Sequence, residues 1–216
     1  MSKSNNDKEE ALMFKVITLG NSGVGKTSII KRYVFNQFDQ NTISSIGVIF
    51  SFKDVPIKND ENKIVKLKLI DTAGEEKYRS LSKSYYKNAE AVLFVFSLNN
   101  KESFDEINNW LNSFKENNTK DDIPKYLVGN KSDLDKDIDD GIIEECLKKN
   151  NLKYKETSAK NNENIDALFD EIANDLYKYY LEKGGLNTNQ NVSELKLSYK
   201  PQKKQQKNCC NIHGNV

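Results

Sequence analysis

The 216-residue chain is poor in cysteine: Cys146, Cys209 and Cys210 are its only three, and two of them are adjacent near the end. An odd number in that arrangement is no disulfide framework for a small secreted domain, and a reducing compartment fits better. Histidine occurs once, at His213, which is read as part of a disordered terminus and not as a metal ligand. Neither sign of charge is in surplus, since 33 Lys and Arg face 32 Asp and Glu for a net +1. No global field therefore points to a nucleic-acid partner, and any charge signal has to be local. Long apolar runs are missing as well. The opening MSKSNNDKEEALMFK is not expected to act as a secretory signal, and no run approaches the length of a transmembrane helix.

What is present is alternation of strand-like and helix-like segments, in a chain long enough for one well-buried domain plus a tail. FKVITLG from Phe14 is followed by a glycine-bearing turn and then by TSIIKRYVF with apolar residues at helical spacing, so strand, loop and helix are predicted in that order. IVKLKLID, residues 64 to 71, alternates like a half-exposed strand, with Ile46 to Ile57 as its hairpin partner and KNDEN as the turn. AVLFVFSL from Ala91 and KYLVGN from Lys125 are continuously apolar, as expected of parallel strands buried on both faces. SFDEINNWLNSFKEN, between them, puts Phe104, Ile107, Trp110, Leu111 and Phe114 on one helical stripe, so Trp110 is expected in the core. A last strand near Leu152 to Glu156 precedes a long amphipathic helix ended by Gly184-Gly185. Cys146 is expected to be a packed thiol. The Asn-rich clusters are read as polar loops. The predicted class is α/β, an open, mostly parallel sheet with helices on both faces and ligands at the carboxyl ends of its strands.

Gly20-Asn21-Ser22-Gly23-Val24-Gly25-Lys26-Thr27 matches GxxxxGK[ST] where a strand must turn into a helix. Its glycines let the loop curl so that backbone N–H groups point at phosphate oxygens, with the helix start adding its positive end. Lys26 would reach the β- and γ-phosphates and Thr27 would coordinate Mg²⁺, with Ser28 next in the same cradle. Asp71 closes the alternating strand and opens Asp71-Thr72-Ala73-Gly74-Glu75-Glu76. Its carboxylate can hold Mg²⁺ through water, and Gly74 lets a backbone N–H approach the terminal phosphate. Asn130-Lys131-Ser132-Asp133 follows a buried strand, and an aspartate there can accept from guanine N1–H and the exocyclic amine, a pair adenine cannot offer. Ser158-Ala159-Lys160 would support the base from the other side, the Ala159 N–H donating to guanine O6.

GNSGVGKT, DTAGEE, NKSD and ETSAK, in this order, resemble the Ras superfamily of small GTPases and, within it, the Rab branch. The similarity covers residues 11 to 182, the expected GTP-binding domain, between a flexible N-terminus of residues 1 to 10 and a flexible hypervariable tail of residues 183 to 216. Ser45 to Phe50, Tyr78 to Leu81, Tyr85-Tyr86 and the terminal cysteine pair look Rab-like. The resemblance implies a P-loop small G-domain with a six-stranded sheet and one antiparallel strand, bound GTP or GDP with Mg²⁺, and hydrolysis of GTP. It also implies two switch segments, near residues 38 to 50 and 73 to 86, held by the γ-phosphate and Mg²⁺ and released on hydrolysis. Phe38 would cover the guanine edge and Ser45 would give the second hydroxyl on Mg²⁺. An exchange factor, an activating protein, a dissociation inhibitor and effectors are the implied partners, in vesicle traffic on the cytosolic face of endomembranes.

Three positions depart from the family. Ser45 stands where threonine is usual, so switch ordering is expected to be weaker. Ile70 replaces a tryptophan that elsewhere joins an effector-facing aromatic cluster with the positions of Phe50 and Tyr85, and is read as an ordinary strand residue. Glu75 stands where a glutamine orients the attacking water. A carboxylate cannot donate as the amide does and adds negative charge near the γ-phosphate, so impaired intrinsic hydrolysis is expected. Against this, Glu75 can act as a base toward water or point away, and an activating protein can bring arginine and glutamine in trans. Either a hydrolysing switch or a GTP-loaded scaffold that hardly turns over is thus compatible with the motifs. A Ras-like signalling role is disfavoured by the cysteine pair. Lys183, Lys196, Lys200, Lys203, Lys204 and Lys207 precede Cys209-Cys210, followed by the six-residue extension NIHGNV. Double geranylgeranylation with basic support is the leading expectation for this tail, with palmitoylation or unmodified thiols as alternatives.

Overall fold

The computed structural model describes residues 12–40, 47–58, 60–72, 84–120 and 122–184, with the side chains of Glu61 and Asn62 left aside. Ser45, Gly74, Glu75 and both terminal cysteines lie outside the described residues, as do residues 41–46 of the first expected switch segment and 73–83 of the second. Strand β1, Leu12–Leu19, lies in the middle of a six-stranded sheet. It is joined by β2 Val48–Ile57, β3 Asp60–Thr72, β4 Ala91–Ser97, β5 Lys125–Asn130 and β6 Lys153–Thr157 in the spatial order β2-β3-β1-β4-β5-β6. Only β2 runs antiparallel to its neighbour.

The continuously apolar strands are central for the expected reason: all seven residues of β4 are buried, because helices cover both faces. On one face, α1 Lys26–Phe35 and α5 Ile165–Glu182 pack Ile29, Tyr33, Leu168 and Phe169 against Phe14 and Val16. On the other, α2 Lys101–Asp105, α3 Ile107–Asn117 and α4 Asp140–Asn150 pack Phe104, Trp110 and Ile143 against Ile17 and Leu19. Val16 and Ile17 are neighbours in sequence yet belong to opposite cores, as a pleated strand requires. Cys146 is half-buried beside the second core.

Two boundaries differ from the sequence reading, and a third, the glycine stop of the last helix, falls where expected. The expected KNDEN turn is shorter, because β3 already begins at Asp60 and a bulge beside Pro56/Ile57 absorbs the extra residues. The apolar stripe from Phe104 to Phe114 is carried by two helices broken at Glu106. The last helix ends at Glu182 with Lys183 as its cap, and Gly184 follows at φ +80°.

The strand order reverses at β1. Chain after β1 goes one way to β3 and the other way to β4, which opens a crevice at the carboxyl ends of these strands. Residues 20–25 leave β1 there, Asp71 and Thr72 end β3 there, and residues 131–134 and 158–164 leave β5 and β6 at the same end. All described residues fall within one compact unit of the chain. Among the described residues, no helix is long and apolar enough to cross a membrane.

Candidate functional site

A cleft of about 340 Å³ occupies this crevice. Of the residues singled out in the sequence, Ser22, Gly23, Gly25, Lys26, Thr27, Ser28, Phe38, Asn130, Lys131, Asp133, Ala159 and Lys160 all line it. Four further lining residues, Asp39, Gln40, Thr72 and Leu134, were not singled out.

The loop between β1 and α1 can take its shape only with glycine at key points. At Gly20, φ +144°, a Cβ would stand 2.0 Å from the Val95 carbonyl oxygen; at Gly25, φ +98°, it would stand 2.2 Å from Asn130 Nδ2. Lys26 is 5% exposed, and its ammonium donates to the Gly20 and Asn21 carbonyls at 2.8 Å each. Burial takes its pKa down to about 8, with Asp71 pulling the other way. Thr27 Oγ1 donates to Asp71 Oδ2 at 2.7 Å. Asp71 is 2% exposed and its Oδ1 has no hydrogen-bond partner among the described residues. Burial holds its carboxyl above the usual range, against the pull of Thr27 and Lys26.

A buried acceptor without a donor beside a hydroxyl oxygen suits a hard divalent cation, so Thr27 and Asp71 fit Mg²⁺. The described residues contain no cluster of three His, Cys, Asp or Glu.

At the other end, Asp133 is held by Ser158 Oγ at 2.6 Å and by Lys160 Nζ at 3.6 Å. Ser158 is fully buried beneath it. Lys131 adopts φ +66°, a left-handed backbone rarely taken by residues with a Cβ, and the next residue's N–H donates to the Thr157 carbonyl at 3.0 Å. Asn130 joins the halves: its Nδ2 donates to the Val24 carbonyl at 2.9 Å, and its Oδ1 accepts from Thr157 Oγ1 and the Ala159 N–H at 3.2 and 3.3 Å.

Val24 turns its side chain into the core and its carbonyl to Asn130, which leaves the backbone N–H, the group expected of this loop, as its contact to an anion. One expectation needs adjusting. The Ala159 N–H already donates to Asn130, though over a long distance, and a base oxygen would have to share or take over that donor.

Sequence reasoning also missed the supports. Trp110, 1% exposed as expected of core, donates from Nε1 to Asn21 Oδ1 at 2.7 Å and so braces the glycine loop. Arg32, on α1, bonds to the carbonyls of Ala159 and Lys160. These partners are 89 to 128 positions apart in sequence, beyond the reach of any local pattern. Ile70 is fully buried, while its strand neighbour Phe50 lies tilted on Tyr85 with ring centroids 5.6 Å apart, in keeping with an ordinary strand role for Ile70.

A mixed sheet reversing at β1, a glycine loop feeding α1 and a polar cleft across the carboxyl ends define a P-loop small G-domain. The Ras family model matches residues 15–178. The Ras-related protein Rab-11B of Dictyostelium discoideum is 39% identical over 165 residues, covering 76% of this chain and 73% of that protein. Rab-13 of Mesocricetus auratus is 32% identical over 202 residues, covering 93% and 96%. SEC4 of Candida albicans is 28% identical over 221 residues, covering 96% and 99%. The chain belongs to the Ras family, as a small GTPase of Rab type.

Proposed function

We propose that the chain is a GDP/GTP-dependent switch in vesicle traffic, hydrolysing GTP to GDP and phosphate on the cytosolic face of endomembranes. The observation that carries this is the division of labour along one cleft, with a buried ammonium and paired oxygen ligands at one end and the braced Asp133 carboxylate at the other. Lys26 would neutralise the polyphosphate, and the backbone N–H groups of residues 22 to 28 would cradle it. Asp133 would select guanine by accepting two hydrogen bonds. Phe38 would cover the base. Mg²⁺ held by Thr27, Asp71 and, from outside the described residues, Ser45 would neutralise charge on the phosphates. Gly74 would offer its N–H to the γ-phosphate. Hydrolysis joins a water oxygen to the γ-phosphorus as the bond to the β–γ bridging oxygen breaks. The likeness to Rab-11B, Rab-13 and SEC4 supports the Rab-type setting.

Titration of the purified chain with Mg-GDP should give tight binding that falls at least a hundredfold in K26A and D133A. Unchanged affinity in both variants would overturn the assignment. Glu75 favours a second reading, a GTP-loaded scaffold with little turnover. Single-turnover hydrolysis of the native chain and E75Q separates the two: a markedly faster E75Q supports the scaffold, and equal rates remove it. Anchoring through Cys209 and Cys210 belongs to the same proposal. Intact-mass measurement on protein from its own cells should show two prenyl groups, and unmodified thiols would remove the anchor.

A further inference from the structure

Arg32 does not line the cleft, yet every nitrogen of its guanidinium is spent on segments that do or that lead to one. Nε donates to the Ala159 carbonyl at 2.8 Å and Nη2 to the Lys160 carbonyl at 3.1 Å. Nη1 donates to both Asn36 O and Asn36 Oδ1 at 3.1 Å, two residues before Phe38. The guanidinium carbon stands 6.0 Å from the centroid of the Phe38 ring, over its face. The loop after β6 is closed at its base by the reciprocal Ser158 and Glu163 backbone bonds. Arg32 ties the residues just beyond that closure to α1. Three differently directed N–H edges in one rigid plane are needed for this, which a lysine ammonium on a flexible stem does not provide.

We propose that Arg32 is a positioning residue that fixes the base half of the cleft, locking Ala159, Lys160 and Phe38 into one arrangement and so setting how long a guanine nucleotide stays bound. This rests on the guanine-nucleotide reading above. The phosphate half is braced separately, through Trp110 and Asn21. Arg32 and Phe38, which meet through the ring face, should act as one.

The test is the dissociation rate of fluorescent GDP from the full chain in Mg²⁺. R32K should release GDP about ten- to hundredfold faster, the scale of losing one charge-assisted hydrogen bond. R32Q should do the same and serves if R32K does not fold. In a double-mutant cycle, R32K added to F38L should change the rate by much less than R32K alone. A rate within twofold of native in both Arg32 variants overturns the proposal. So does full multiplication of R32K with F38L, which is what a general loss of stability would give. A native chain that binds no GDP strikes the nucleotide reading itself, and this proposal falls with it; native binding with an indifferent Arg32 strikes this proposal alone.

Discussion

Trp110 shows how a residue can be placed correctly from spacing and still hold a second duty. Its ring is core, but its N–H is one arm of a partly buried contact to the glycine loop. W110F keeps most of the apolar area and removes the donor, leaving Asn21 Oδ1 without that bond. The variant should lose about 1 kcal/mol, the scale of one partly buried hydrogen bond, read from the midpoint of urea unfolding at unchanged slope. A midpoint equal to native would mean that the contact is energetically idle. At this scale the motifs were legible because each packs its chemistry into fewer than ten consecutive residues. The braces were not, since an arginine or tryptophan in an amphipathic stretch looks the same whether its polar end meets water or a loop far away in sequence.

Two of the helices end on asparagine in the left-handed region, α1 at Asn36 with φ 52° and α4 at Asn151 with φ 51°. The two ends differ in what the side chain does, because Asn36 accepts from Arg32. Asn151 is the cleaner test of the backbone term. N151A should cost about 1 kcal/mol, since a Cβ without a compensating amide is disfavoured there, whereas N151G should be neutral or stabilising. Thermal melts of the pair check this, and equal melting temperatures would show that the cap geometry carries no strain. Helix and strand identity followed from apolar period throughout. The boundaries followed less well, as the break at Glu106 and the early start of β3 at Asp60 show. Apolar spacing reports which face is buried and is blind to where the hydrogen-bond ladder stops.

For the whole molecule, the buried charges of the cleft tie stability to its ligands. Lys26 and Asp71 are both held against their preferred solvation, and a Mg-bound nucleotide would supply counter-charge to each. Saturating Mg-GDP at a hundred times its dissociation constant should stabilise the fold by about 2.7 kcal/mol, seen as a raised melting temperature that falls when EDTA is added. No shift with nucleotide would contradict the proposed site. The domain type was legible before any coordinates because its motifs recur in one order along alternating strands and helices, and parallel connections bring them to one end of the sheet.

Asn130 gives this architecture a further property. One amide grips the carbonyl of Val24 with its nitrogen and two partners near the guanine side with its oxygen, and a Cβ on Gly25 would collide with it. The two loops therefore depend on one amide and one missing side chain: a graft of residues 20 to 27 should keep working only where it brings glycine at position 25, and a change at Asn130 should loosen both loops together.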